Sequence, residues 1–187
     1  MKRYFKRFAI GLAVALGLLI LQGLYLHMIG VRVNVSPSIP LGVYWAKDLP
    51  VERGAYVMFC PPQIEVFRHA MIRGYIGGGQ CPGGYGYVMK RVAAASGDVV
   101  DVAMDGVRIN GSLYPRSALM AVDALGRSMP RYQSDHYTLS EFQLLLMADD
   151  HPKSFDARYF GPVQRKQIKD VIVPILTWKS KDKEAVR

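Results

Sequence analysis

One long stretch of this chain lacks charge, and cysteine is scarce throughout. Residues Phe8 to Val31 contain no Asp, Glu, Lys or Arg. A run that long does not belong on a solvated surface. As a helix, at about 1.5 Å per residue, it crosses a hydrocarbon layer about 30 Å thick. Its end, Leu26-His27-Met28-Ile29-Gly30, lacks the small-x-small pattern of a cleaved secretory leader, and the apolar run is long for one. Residues 8–30 are therefore expected to be an uncleaved transmembrane anchor. The two cysteines, Cys60 and Cys81, have no histidine nearby, which excludes a zinc site of ordinary spacing. Outside the cytoplasm two readings stay open for them, a disulfide or two separate buried thiols.

Other absences narrow the function. Gly77-Gly78-Gly79 and Gly83-Gly84 have neither the spacing nor the following Lys-Ser/Thr of a phosphate loop, so nucleotide binding is not expected. The 24 Lys and Arg against 15 Asp and Glu give +9, but Lys2, Arg3, Lys6 and Arg7 carry four of those charges. The rest is spread out, with no basic element interleaved with aromatics, so a nucleic-acid groove is excluded. There is no internal repeat and no low-complexity segment. The Lys179 to Glu184 tail reads as a solvated, frayed end. No metal or cofactor is called for.

What is present suggests three parts: a basic, cytoplasmic N-terminus over 1–7, the anchor over 8–30, and one outer domain over 31–187, long enough for a core of its own. The charges before the anchor orient it with the N-terminus inside. Beyond Gly30 the signals are mostly β. Strands are expected at Gly42 to Trp45, Ala55 to Phe59, Tyr87 to Val92, Asp98 to Ala103, Val107 to Ile109 and Val171 to Trp178. Asp105-Gly106 and Asn110-Gly111 supply hairpin turns. Ile64, Phe67 and Met71 lie at helical spacing, which predicts a short amphipathic helix within 63–72. Residues 115–135 read as a polar surface excursion, and Leu139 to Met147 fits a capped helix or a buried strand equally well.

The stretch around which chemistry gathers is Asn34-Val35-Ser36-Pro37-Ser38-Ile39-Pro40. Prolines on both sides of Ser38 restrict its backbone, as suits a hydroxyl that must attack from one direction; a Pro-rich linker is the plainer alternative. No base lies beside Ser38 in sequence. A Ser-His-Asp arrangement would have to draw on His69, His136 or His151, the last with Asp149 or Asp156. A Ser-Lys pair needs a lysine whose charged form is disfavoured by burial, and Lys90 is the one lysine set in an apolar, strand-like run.

Taken together, Ser38-Ile39-Pro40, then Lys90-Arg91-Val92 with Gly97-Asp98, then Ser154-Phe155-Asp156-Ala157-Arg158-Tyr159 resemble the bacterial type I signal peptidases. Asn34 to Tyr44, the Phe59-Cys60-Pro61-Pro62 run and the Arg73 to Gly83 segment are most similar to the TraF-type peptidases of conjugative transfer. The resemblance implies a mainly β, antiparallel signal-peptidase fold beside the membrane, with Leu144 to Met147 as strand. It implies Ser38 as nucleophile, Lys90 as general base, Ser36 as an oxyanion donor, Ser154 as the group orienting the lysine, and Asp156 with Arg158 as a supporting ion pair. The implied substrate is an exported, pilin-like precursor with small residues before the cut. The implied setting is the bacterial inner membrane and its lipid, with the catalytic domain in the periplasm and other conjugation components as partners. A general signal peptidase, or an idle assembly factor of the same machinery, are the alternatives. Two departures stand out: Ala157 replaces the usual Ser, and Ala148-Asp149-Asp150 stands where Gly-Asp-Asn is typical. The large extra domain of many housekeeping members is also missing.

Overall fold

The computed structural model describes residues 2–149 and 151–178; the basic tail beyond Trp178 lies outside them. Helix α1, Lys2–Met28, is long and apolar enough to cross a membrane, and its residues pack against almost nothing else. Only Ile29 and Gly30 separate it from strand β1, Val31–Asn34. This junction is held in place. The Gly30 carbonyl accepts from Ala46 N–H at 2.8 Å, and Arg32 donates to the His27 carbonyl at the helix end at 2.8 Å.

Strands β2 (Leu41–Lys47) and β3 (Tyr56–Phe59) lead to helix α2, Glu65–Ile72. Strands β4 (Val88–Ala94), β5 (Val99–Ala103), β6 (Gly106–Ile109), β7 (Ser112–Leu113), β8 (Ser134–Thr138) and β9 (Gln143–Met147) follow. A one-turn helix α3 (Ala157–Phe160), β10 (Val163–Gln164) and the long β11 (Ile168–Trp178) complete the described chain. One seven-stranded sheet runs β1-β2-β11-β3-β4-β9-β10 and a second runs β7-β6-β5-β8, every named pair antiparallel. The expected architecture, mainly antiparallel β behind an apolar N-terminal helix, is the observed one.

Local chemistry explains the pairings. Asn110 and Gly111 both take positive φ, 51° and 78°, which gives the two-residue turn that sets Ile109 opposite Ser112. Between β5 and β6 the turn falls one residue earlier than expected: Ala103 pairs with Gly106, so Met104-Asp105 form the loop. Gly42 sits where β11 bulges between Pro174 and Leu176, and a Cβ there would stand 2.2 Å from the Leu176 carbonyl oxygen. Only glycine allows β2 and β11 to approach so closely.

The main core lies against β3, β4 and β9. Leu144, Leu145, Leu146 and Met147 are all buried, so β9 is covered on both faces and its unbroken apolar run is a strand. Phe59, Phe67, Phe155 and Phe160 interlock with ring centroids 4.8–6.3 Å apart, at distances where edge and offset contacts add to burial. Phe67 and Ala70 are the residues that α2 buries, whereas Ile64 and Met71 are exposed. The expected helix face was thus turned by part of a turn. Residues 115–135 are an excursion, yet Ser117 and Leu119 are buried in it, and β8, polar in composition, pairs with β5. Cys60 and Cys81 form a disulfide with Cα atoms 5.5 Å apart. It ties the end of β3 to the Gly-rich segment.

Candidate active site

Antiparallel pairing places Lys90 opposite Val57 and Val88 opposite Phe59, which puts Lys90 on the apolar face of β4. The side chain is buried, with 3% of the residue exposed. Desolvation disfavours its ammonium form and Arg158 adds repulsion, while Asp156 pulls the other way; the net effect lowers its pKa to about 8. A lysine on a strand with the ordinary surface arrangement would keep its head in water. This one has its head among serines.

Ser38 lies in the turn after β1. Its Oγ is 2.6 Å from Lys90 Nζ, 2.6 Å from Ser154 Oγ and 3.2 Å from Ser36 Oγ. Lys90 Nζ also donates to Ser154 Oγ at 3.0 Å. A neutral amine at this distance can take the hydroxyl proton, and the resulting ammonium can be held by the Ser154 oxygen.

The turn is built around one side chain. Asn34, buried at the end of β1, donates from Nδ2 to the carbonyls of Ser36, Ile39 and Pro40 at 2.8–3.1 Å. Its Oδ1 accepts from Ser36 N–H at 3.0 Å. Tyr44 donates to the Pro40 carbonyl at 2.6 Å, and Asp149 N–H to the Ser38 carbonyl at 2.7 Å. The Asp149 carboxylate is in turn gripped by Tyr56 Oη at 2.7 Å and Arg91 Nη1 at 2.8 Å. Burial and Asp149 push the Tyr56 phenol well above its ordinary pKa, so it stays a donor. Polar groups from β1, β2, β3 and β4 therefore fix the serine's backbone relative to the lysine's strand.

Asp156 and Arg158 form a buried ion pair, both 1% exposed. Arg158 uses all five N–H donors. Nε and Nη2 reach Asp156 at 2.7 and 2.9 Å, Nη1 reaches the Ala118 and Pro152 carbonyls, and the second Nη2 donor reaches the Ser154 carbonyl at 2.9 Å. Asp156 also accepts from Ala148 N–H at 3.1 Å. Such complete pairing offsets the desolvation of both charges, and it anchors the backbone of Ser154. Ala157 is fully buried between these residues, where a hydroxyl would need a partner of its own.

All six residues singled out from the sequence, Ser36, Ser38, Lys90, Ser154, Asp156 and Arg158, thus join one hydrogen-bonded network. Two of the histidines are engaged elsewhere, His69 with Glu65 at 3.1 Å and His136 with Asp135 at 2.7 Å, and the carboxylates of Asp149 and Asp156 are paired with Arg91 and Arg158. Sequence reasoning missed Asn34, Tyr56 and the backbone contact of Asp149. An Asn two residues before a Ser is an Asx-turn signal that points to the first; the others come from strands far apart in sequence and leave no local mark. A cleft of about 220 Å³ opens over Ser36, Ser38 and Lys90, walled by Val33, Val35, Tyr75, Met89 and Phe155 among others.

The family described as signal peptidase, peptidase S26, matches residues 1–176. A plasmid transfer protein TraF of Escherichia coli is 56% identical over 180 residues, 95% of this chain and 100% of the relative. The conjugal transfer protein TraF of Agrobacterium fabrum is 34% identical over 151 residues, 80% of this chain and 84% of the relative. A crystal structure of a signal peptidase I from Enterococcus faecalis aligns with a TM-score of 0.38 at 18% identity, over 68% of this chain and 100% of that one. With its family matched over most of its length, and a relative more than half identical from end to end, this chain belongs to the signal peptidase family, peptidase S26.

Proposed function

We propose that this chain is a membrane-anchored serine endopeptidase of the TraF type that processes an exported precursor, a conjugative pilin, using Ser38 and Lys90. The observation that carries the reading is the 2.6 Å approach of a buried lysine to a serine hydroxyl. Ser38 gives its proton to Lys90 as Oγ bonds to the scissile carbonyl carbon. Ser36 and the Ser38 N–H receive the negative charge that develops on the carbonyl oxygen. The Lys90 ammonium then protonates the leaving amine, and an acyl-enzyme remains on Ser38. Water releases a linear product; the N-terminal amine of the acylated fragment itself, attacking the ester in place of water and expelling Ser38 Oγ, would release a cyclic one. Ser154 orients the lysine throughout, with Asp156 and Arg158 holding Ser154.

Residues 8–30 anchor the enzyme in the inner membrane, the basic residues of 1–7 remain on the cytoplasmic side, and 31–187 work in the periplasm. The test is intact-mass analysis of a candidate pilin precursor co-expressed with wild type, Ser38→Ala or Lys90→Ala. A shortened product with wild type alone is expected, and a mass lower by one further water would identify cyclisation. An uncut precursor in all three, together with failure of Ser38 to be captured by a labelled lipopeptide inhibitor of Ser/Lys peptidases, would favour an idle assembly factor. Processing of many unrelated exported precursors would instead point to a general signal peptidase.

A further inference from the structure

Tyr75 and Phe155 face two cavities at once. One is the cleft over Ser38 and Lys90; the other, of about 180 Å³, lies behind it and is lined by Val66, Ala70, Arg73 and Met129 together with those two rings. The rings stand 5.6 Å apart and form the partition between the two spaces. Phe155 is fixed by its place next to Ser154 and by stacking on Tyr159, with centroids 5.8 Å apart and planes 3° from parallel.

Tyr75 is fixed from the opposite side. Its hydroxyl donates to Asp123 Oδ2 at 2.5 Å, and the same oxygen accepts from Arg127 Nε at 2.6 Å. Asp123 Oδ1 accepts the backbone N–H groups of Leu125 and Arg127, both at 2.9 Å. The Arg127 guanidinium lies over the Tyr75 ring, 5.8 Å from its centroid. A turn of the 115–135 excursion therefore grips the far end of a side chain whose near face lines the reaction cleft. Neither the aromatic partition nor its tether takes part in the proton transfers.

We propose that Tyr75 is a specificity-determining residue: it closes the inner end of the substrate cleft, limits the size of the substrate side chain seated there, and keeps the space behind it out of use. The inference rests on the reading of Ser38 and Lys90 as the peptidase pair. A rigid wall discriminates against added bulk because each extra methylene must displace packed atoms, and a single methylene alters kcat/KM by about tenfold or more in a closed pocket.

The test uses the full-length, membrane-anchored protein and a set of precursors. In the set, each of the four residues before the cut is changed in turn to Ala, Leu or Phe, and kcat/KM is measured for each. At the position that faces the cleft, wild type is expected to prefer Ala over Phe by a hundredfold or more. Tyr75→Ala should shrink that ratio at least tenfold through a gain on the bulky precursor, while Tyr75→Phe, which keeps the ring, should stay within a few-fold of the wild-type ratio. A Tyr75→Ala enzyme that loses rate equally on small and bulky precursors, or keeps the wild-type ratio, would overturn the proposal. If that variant does not fold, Tyr75→Leu is read in the same way. Precursors left uncut by wild type and Ser38→Ala alike would instead remove the peptidase reading itself, and the inference with it.

Discussion

The depressed basicity of Lys90 makes a quantitative prediction about pH. Burial lowers its pKa from 10.5 to about 8, a shift equivalent to roughly 3 kcal/mol of penalty on the ammonium form. With that value, about one-tenth of the enzyme holds a neutral Lys90 at pH 7 and about nine-tenths at pH 9. The acylation rate should therefore rise with a slope of one up to pH 8 and level off above it, a gain of about tenfold between pH 7 and 9. A lysine of ordinary pKa would give about a hundredfold rise over the same interval with no plateau below pH 10. The assay is rapid-quench measurement of covalent capture of Ser38 from pH 6 to 10, which isolates the first chemical step from product release. A log-linear rise to pH 10, or a rate flat from pH 6, would refute the role assigned to burial. The same shift acts on stability. Between pH 8 and 10.5 the unfolded chain binds the proton that the folded chain has released, so stability rises with pH across that window and the full penalty applies below it. Lys90→Met should accordingly be more stable than wild type at neutral pH, by up to about 3 kcal/mol less the hydrogen bonds it forfeits, with the gap closing towards pH 10.

Three further outcomes are expected. Arg158→Ala leaves Asp156 buried without its partner and should lower stability by about 3–5 kcal/mol in urea unfolding, against a small effect from an exposed arginine such as Arg53. Replacing Cys60 and Cys81 together by Ser removes a cross-link between residues 21 apart in sequence and should cost about 3 kcal/mol, read as a urea midpoint for the variant below that of the oxidised wild type. Asn34→Ala frees the carbonyls of Ser36, Ile39 and Pro40 and should lower kcat by about a hundredfold with KM moving much less, since an ångström of misplacement of the hydroxyl suffices for that; equal losses in substrate affinity and rate would count against a positioning role.

How much of this was legible beforehand depended on where each signal lies. Lys90 could be placed on a strand because Val88, Met89 and Val92 make the run around it apolar, and a strand buried on one face turns that pattern into a desolvated amine. Ser38 could be singled out because proline leaves a visible mark on the backbone. The short helix is legible, and Phe67 of its expected face does pack into the core, but Ile64 and Met71 fit the same period and stay exposed while Ala70 is buried in their stead. The run Leu144 to Met147 was ambiguous because a strand covered on both faces has no alternation to read. Residues 115–135 look like solvent-exposed loop by composition, and that reading hid Asp123, whose carboxylate is satisfied by Tyr75 some fifty positions earlier. The polar supports of the nucleophile, Tyr56, Asp149 and Tyr44, belong to contacts made only once strands distant in sequence pair.

The short, fixed junction between α1 and β1 sets a height. From Met28 at the helix end to Ser38 the chain advances ten residues, which span at most about 35 Å when fully extended. Gly30 and Arg32 lock the first steps of that path rather than leaving a swivel. On the proposed topology, with the helix seated in the bilayer, the Ser38 hydroxyl would stay within about 35 Å of the helix end and could not sweep the surrounding compartment. Peptide bonds presented at that level, such as those just outside a precursor's own membrane-embedded leader, come within range. The same bonds on a protein that has diffused away do not. If Ser38 is the nucleophile as proposed, such a tether would protect mature proteins by geometry alone, before any side chain of the substrate has been inspected.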